Sequence, residues 1–558
     1  MMNTLAIRDY VVFFIYFVIV AVYGYTIYRR KKNAAASASH DYFLAEGSLT
    51  WWAIGASLIA SNISAEQFIG MSGSGFKMGL AIATYEWIAA ATLIIVAIFF
   101  IPVYLRNKIY TMPQFLGLRY NKQVSMIMAI FWLLLYVVVN LTSILYLGAL
   151  AISSVSGLSL NGCMIGLAVF SIIITLGGMK VIGYTDVVQV FFLLLGGMAT
   201  TYLALNLVAE HFGSSGMLKG FSLIYEKAPE HLHMILNKNN PNFIDLPGLS
   251  VLLGGMWIAN LNYWGCNQYI TQRALGADLP TARNGILFAA FLKLLMPLIV
   301  VLPGIAVYVL YKDGGFQHEM LQEGAVNADR AYPVLLNLLP AGLKGLSFAA
   351  LTAAVVASLA SKANSIATIY TLDIYKKIIR SDASEKNMVL VGKISVIISM
   401  LLAVLIAPHL GIDKKGGFQY IQEYTGFVSP GIFAMFLLGF FWRGTTSNAA
   451  MAAMIGGFLF SVLLKVLPSF ADLSFLHSFG WSIDNGSGQF EIPFLDRMMI
   501  VFVLCLLMMF FVSRADHAGG IVSRGLTVDK KMFRVPAAYA VWSLLILGIL
   551  VALYTLFW

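Results

Sequence analysis

A chain of 558 residues that is 59% hydrophobic and only 11% charged, with a mean hydropathy of +0.82, falls outside the range of soluble proteins, in which about a quarter of residues are charged. The net charge of +10 does not mark a nucleic-acid binder, because the Lys and Arg residues are parcelled into alternate loops between apolar stretches. The composition predicts an all-α, multi-pass membrane protein in the lipid bilayer, with no nucleic acid as partner.

About 20 apolar residues cross a bilayer as a helix. Roughly fourteen such runs follow one another, near 10–28, 51–74, 79–105, 124–154, 159–178, 184–208, 247–268, 284–311, 344–375, 388–408, 417–442, 447–467, 494–513 and 535–557. Basic residues collect at 29–32, at 106–122, at Arg273 and Arg283, at 376–386, at Arg443 and at 514–534. This positive-inside asymmetry puts the amino terminus outside, and an even number of spans puts the carboxyl terminus outside too. The first span ends in a basic cluster without a small-residue cleavage site, and reads as a retained anchor in the cell inner membrane. Cys163, Cys266 and Cys505 lie inside spans without metal spacing, and no Walker-type glycine loop is present. ATP-driven pumping is therefore not expected. Nor is an enzyme, for no nucleophile–base pair or metal cluster stands out.

Two runs look like spans broken midway. One is Trp51 to Gly70, with Ser61-Asn62-Ile63-Ser64-Ala65-Glu66-Gln67 at its centre; the other is Gly254 to Gly265, with Ala259-Asn260-Leu261-Asn262-Tyr263-Trp264. An unsatisfied backbone group costs several kcal/mol in hydrocarbon, so irregular backbone survives there only where it lines a cavity. A pair of interrupted spans in corresponding positions of two halves points to a transporter's midplane site. The breaks fall in the second and seventh spans, which predicts a five-plus-five inverted repeat. The chain then reads as a single membrane domain over 1–558: a leading span and inner loop at 1–50, a transport core at 51–443 with halves 51–208 and 247–443, and three trailing spans at 444–558.

Charges at membrane depth face a cavity or a partner. Glu86 follows Thr84-Tyr85 at a helix start, Lys293 sits in Phe291-Leu292-Lys293-Leu294-Leu295, and Glu66 adjoins the first break. Each is a structural ion pair, a snorkelling or bracing group, or a site residue; Glu86 and Lys293 are read as site residues. Asn62, Gln67, Asn260 and Gln422 either satisfy freed backbone or pair with a neutral solute rich in hydroxyls. Tyr263 and Trp264 occupy the second break, and Tyr263 offers a flat face for a pyranose. In the run Leu351 to Ser365 most small residues serve close helix packing. Sodium, a hard cation, takes oxygen ligands, and Ser358 is the candidate hydroxyl there.

Several stretches carry a family resemblance. They are Ala56-Ser57-Leu58-Ile59-Ala60-Ser61-Asn62-Ile63-Ser64-Ala65-Glu66-Gln67-Phe68 onward to Gly75, then Tyr85-Glu86-Trp87, Asn140-Leu141-Thr142-Ser143, Thr185-Asp186-Val187, Tyr263-Trp264-Gly265 and Phe418-Gln419-Tyr420-Ile421-Gln422-Glu423. The chain resembles the sodium/solute symporter family, in its bacterial galactose-transporting branch. That resemblance implies a LeuT-type fold of about fourteen transmembrane helices with two discontinuous ones. It implies sugar contacts from Asn62, Gln67, Glu86, Asn260, Lys293 and Gln422, an inner gate at Tyr263 beside Trp264, and an outer lid of Met71, Tyr85 and Phe418. It assigns sodium to main-chain oxygens of Ala60, Ile63 and Ala354 with the Ser358 hydroxyl, and puts Asp186 on a sodium exit route. Three residues depart from the family pattern. Ala89 stands in place of a serine near the sugar, Asn262 in place of a gate-adjacent tyrosine, and Ala357 in place of a serine ligand of sodium.

The expected activity is secondary active sodium–sugar symport of the galactose/glucose type by alternating access, with Na+ as the coupling ion and no organic cofactor. The rivals are symport of another polyol such as inositol, coupling to protons, or an uncoupled sugar sensor or channel on the same fold; a sensor would carry long signalling domains, which this sequence lacks.

Overall fold

The computed structural model describes residues 5–29, 42–45, 49–64, 66–322, 324–409, 417–485 and 488–558. The basic residues Arg30, Lys31 and Lys32, and the side chains of Glu66, Gln419 and Tyr420, lie outside that description. The helices that carry the argument are α1 (Ile7–Arg29), α2 (Trp51–Asn62), α3 (Ser72–Met78), α4 (Thr84–Ile95), α5 (Gly178–His211), α6 (Gly255–Cys266), α7 (Gln268–Leu275), α8 (Leu279–Val300) and α9 (Leu343–Thr368). They continue with α10 (Gly417–Gly426), α11 (Ser429–Phe441), α12 (Ser447–Val466), α13 (Phe494–Ala518) and α14 (Ala537–Leu556). Two small antiparallel hairpins, Leu321–Gln322 with Ala325–Val326 and Ile483–Asp484 with Phe490–Glu491, sit in loops.

Ten helical runs among the described residues are long and apolar enough to cross a membrane, and Leu160–Thr175 and Ser429–Phe441 are shorter apolar helices. This is a multi-pass membrane protein. Its exterior is apolar, as lipid requires: Phe14, Leu463, Phe511 and Leu544 are each more than half exposed.

The chain forms two compact units, each gathered from separated segments. The first comprises Met1–Ala83, Ala129–His233 and Gln272–Phe418. At its centre is α9, of which all but Leu343 and Leu346 are buried. Small residues make that possible, since Ala, Ser and Gly let backbones approach closely and dispersion replaces the hydrophobic drive absent in lipid. Thus α9 packs along α5, where a Cβ on Gly196 would stand 2.6 Å from the Ala350 Cβ. Its amino terminus is capped by Asp9 of α1, whose Oδ1 accepts from the backbone of Gly342 (2.7 Å) and Gly345 (2.9 Å) while Oδ2 accepts from Ala6 (2.9 Å). A carboxylate there meets both orphan N–H groups and the positive end of the helix dipole. In the same unit the chain leaves regular helical geometry at Gly79 (φ +73), where a Cβ would fall 2.3 Å from the His231 carbonyl. Only glycine fits that turn.

The second unit comprises Thr84–Met128, Met234–Thr271 and Gln419–Trp558. In it α6 packs against α4, α11 and α13. The carboxyl end of α11 is held by Arg119, whose guanidinium donates to the carbonyls of Gly439 (2.8 Å), Trp442 (2.8 Å) and Thr445 (3.0 Å). A planar cation with five donors suits a cluster of unsatisfied carbonyls at a negative helix end.

Two expectations need correction. The second break is not at 260–264: α6 runs unbroken to Cys266, with Gly254 at its start and Asn267 (φ −98, ψ 129) at its end. Asn260 Nδ2 donates to the Met256 carbonyl at 3.1 Å, so this amide serves its own helix. Asn267 instead takes the extended conformation preferred at a helix start and leads into α7. Tyr263 and Trp264 therefore belong to the last turn of a helix. The second correction concerns the basic residues: Arg119, Arg273 and Arg283 are buried within helices and are not loop charges.

Candidate functional site

The first break has a local cause. Ser61, Asn62 and Ser64 compete for backbone hydrogen bonds and flank a β-branched Ile63, all poor helix formers. α2 stops at Asn62, Ile63 is extended (φ −76, ψ 112), and helical structure resumes as the wide turn Glu66–Met71 before α3. The last carbonyls of α2 are thereby released from helical pairing, at the negative end of its dipole.

Those carbonyls converge on α9. Ser358 Oγ, fully buried, lies 3.4 Å from the Ala60 carbonyl oxygen, 3.0 Å from that of Ser61 and 3.3 Å from that of Ile63. A hydroxyl has one proton and can donate to one of the three, so this is a cluster of oxygens with more acceptors than donors. Oxygen without full charge is what a small hard cation takes. Ala354 lies four residues before Ser358 on the same helical face and is buried. The residues expected at the sodium site on α2 and α9 are thus neighbours, with the Ser61 carbonyl as an unanticipated member.

A polar chain leads away from this cluster within the same unit. Ser361 Oγ lies 2.6 Å from the Ala357 carbonyl and 3.1 Å from Ser61 Oγ, and Ser61 donates to the Ser57 carbonyl at 2.5 Å. Ser57 Oγ donates to Asp186 Oδ2 at 2.5 Å and accepts from Arg273 Nε at 2.6 Å. Arg273 also bonds Ser361 Oγ and stands 3.6 Å from Asp186, both charges being 1% exposed. A buried pair of this kind holds because each charge also gains hydrogen bonds. Arg273 was the residue that pattern reading missed: one basic residue in a polar run looks the same whether it meets water or an aspartate.

The sugar candidates divide between the units. In the first, Lys293 is 1% exposed on α8 and donates to Asn62 Oδ1, which joins two of the expected residues. Gln67 is buried in the wide turn, its backbone N–H donating to the Ser64 carbonyl at 3.1 Å. Met71 is fully buried, and Phe418 packs on the adjacent Gly70, where a Cβ would lie 2.6 Å from the Phe418 Cβ. In the second unit, Glu86 is 2% exposed in the first turn of α4, where the helix dipole favours a carboxylate. Tyr85, next to it, is buried. Asn260, Tyr263 and Trp264 share α6, which packs on α4. Tyr263 is half-buried, with edge-on ring contacts to Trp264 (5.1 Å) and Tyr269 (5.7 Å). Gln422 is half-buried on α10. Asn262, one of the departures from the family pattern, donates to Ser429 Oγ at 3.2 Å, and Ser429 donates to the Thr425 carbonyl at 2.9 Å. A short amide thus ties α6 to the α10–α11 junction. Ala89 is buried on α4.

The chain is similar to known proteins along most of its length. A profile of the sodium:solute symporter family matches residues 42–457. A sodium/glucose cotransporter of Vibrio parahaemolyticus is 45% identical over 562 aligned residues, covering 99% of each chain. A human sodium/myo-inositol cotransporter 2 is 33% identical, over 82% of this chain and 70% of its own. Among solved structures, a Na+-coupled sialic acid symporter in a substrate-bound outward-open state superposes with a TM-score of 0.76 at 20% identity, covering 94% of this chain and 100% of that one. That likeness, and a weaker one to the nucleobase-cation-symport-1 transporter Mhp1 (TM-score 0.50, 14% identity), show the LeuT-type fold. The chain belongs to the sodium:solute symporter family.

Proposed function

We propose that this protein is a secondary active symporter that carries a hexose of the galactose/glucose type into the cell with sodium, by alternating access and without covalent chemistry. The observation that carries the sugar is the 45% identity, end to end, with a sodium/glucose cotransporter. Sodium would be held by the carbonyls of Ala60, Ile63 and Ala354 and the hydroxyl of Ser358, with Asp186 on its way out; the oxygen cluster about Ser358 supports this reading. Asn62, Gln67, Glu86, Asn260, Lys293 and Gln422 would bond the sugar hydroxyls, Tyr263 and Trp264 would close beneath it, and Met71, Tyr85 and Phe418 above. The five-plus-five repeat over 51–443 and the placement of both termini outside the inner membrane belong to the same proposal.

One sodium moving inward through about 100 mV supplies roughly 2.3 kcal/mol. A tenfold concentration gradient adds about 1.4 kcal/mol. Together these sustain a sugar accumulation of a few hundredfold, so one ion per sugar suffices.

The test is tracer uptake into proteoliposomes with inward sodium or proton gradients imposed separately. Galactose or glucose uptake driven by sodium alone is expected, and uptake driven equally by protons would refute the coupling. The inositol relative gives a second reading, in which myo-inositol replaces the hexose; competition between the two solutes decides it. Lys293→Ala loses the ammonium that bonds Asn62, and a charged hydrogen bond removed costs about 1.5–3 kcal/mol. Sugar affinity should fall about tenfold or more in membranes that still contain the protein; parental affinity in that variant would sink the assignment.

A further inference from the structure

Outside the sites above, the second unit holds a cluster of four charges that the transport scheme does not use. Glu423, on α10, accepts from Arg497 Nη2 of α13 at 2.6 Å and from Lys465 of α12 at 2.7 Å. Glu491, on the second hairpin, completes it, 3.6 Å from Lys465 and 3.9 Å from Arg497 Nη1. The Arg497 side chain is 7% exposed and that of Glu423 is 20% exposed. Taking such groups from water is costly unless each is paired, and here two cations face two carboxylates.

We infer that Arg497 and Lys465 are positioning residues: through Glu423 they fix the rotation of α10 about its axis, and so the presentation of Gln422 to the sugar. The inference rests on the sugar-symport reading given above. α10 has ten residues, fewer than three turns, and little intrinsic stability. Glu423 and Gly426 lie three residues apart on one face, and both meet α13, since a Cβ on Gly426 would stand 3.0 Å from Met498 Sδ. Gln422 projects about 100° around the helix from Glu423. Two residues on, in the same last turn, the Thr425 carbonyl, Ser429 and Asn262 link the helix to α6, which bears Asn260 and Tyr263. Releasing Glu423 removes the ionic anchor of that face to α12 and α13. A rotation of ~20° would sweep a side-chain tip about 7 Å from the axis through more than 2 Å, enough to break a hydrogen bond to a bound hydroxyl. The trailing helices α12 and α13 thus do more than face lipid.

Two changes test it: Arg497→Leu, which removes the guanidinium, and Glu423→Gln, which keeps shape and loses charge. Each is reconstituted, checked for membrane insertion, and assayed for sugar KM and for half-saturating sodium. Sugar KM should rise on the order of tenfold in both, while half-saturating sodium stays within about twofold and Arg497→Lys recovers most of the affinity. In a Gln422→Ala background Glu423→Gln should add little further, because both act through one contact. Unchanged sugar KM in Glu423→Gln, or a parallel shift in sodium dependence, overturns the inference. If Arg497→Leu does not insert, the near-isosteric Glu423→Gln decides alone. Gln422→Ala separates the layers. No effect there defeats the sugar contact itself, whereas a large effect there with none in Glu423→Gln defeats only the positioning role.

Discussion

Replacing Ser358 by alanine removes one oxygen from a place where four oxygens meet, and leaves the volume nearly unchanged. Ser358 Oγ stands 3.0–3.4 Å from the carbonyls of Ala60, Ser61 and Ile63 and is sealed from solvent. If the hydroxyl only bonds a carbonyl, its loss costs about 1 kcal/mol of stability and leaves sodium dependence alone. If it ligates the ion, a charge-assisted partner is lost, at about 1.5–3 kcal/mol. At 1.4 kcal/mol per tenfold, half-saturating sodium should rise by about tenfold to a hundredfold. The preceding residue sharpens the expectation. Ala357 carries no hydroxyl, so Ser358 is the single side-chain ligand that the proposed site draws from α9. Ala357→Ser should accordingly lower half-saturating sodium. The assay is initial tracer-sugar uptake in proteoliposomes across a sodium series at clamped potential, with the amount of inserted protein measured in parallel. Half-saturating sodium within about twofold of the parent in Ser358→Ala, with insertion intact, would refute the site.

Tyr263→Phe should retain much of the sodium-driven sugar uptake because the ring face remains, whereas Tyr263→Ala should lose coupled uptake; normal transport by the alanine variant would reduce Tyr263 to packing against Trp264 and Tyr269. Asp9→Ala leaves the N–H groups of Gly342 and Gly345 without their acceptor, so the detergent-solubilised protein should lose about 2 kcal/mol, read as a lower Tm, and Asp9→Asn should recover part of it. His231, in the short helical turn Pro229–Leu232, stacks on Tyr308 at 3.6 Å and its Nε2 bonds the Phe76 carbonyl at 3.0 Å, and burial holds its pKa below the usual 6.5. The native state then resists a proton that the unfolded chain accepts. Its contribution is complete above about pH 6.5 and is lost as pH falls from there toward the depressed value. Tm should drop more steeply between pH 7.5 and 5.5 in the parent than in His231→Gln, and equal slopes would contradict the account.

The membrane class, the order of apolar runs, the first break and the family were legible in the sequence, each for a local reason. Hydrocarbon imposes length and composition on a span, and a run such as Ser61-Asn62-Ile63-Ser64 between apolar residues cannot remain regular helix without consequence. The second break was misplaced by several residues. Asn260 and Asn262 signal polarity, but whether an amide ends a helix depends on the partner it finds. Asn260 turned back to Met256 and Asn262 reached Ser429, which left Asn267 to begin the next helix. The fates of the charges were likewise settled by tertiary structure alone. Spacing along one helix names the residues that share a face, but says nothing of which distant helix that face will meet. Arg273 meeting Asp186, Lys293 meeting Asn62 and Glu423 meeting Arg497 join residues 87, 231 and 74 positions apart, and only the folded chain brings such pairs within hydrogen-bonding or ion-pair reach.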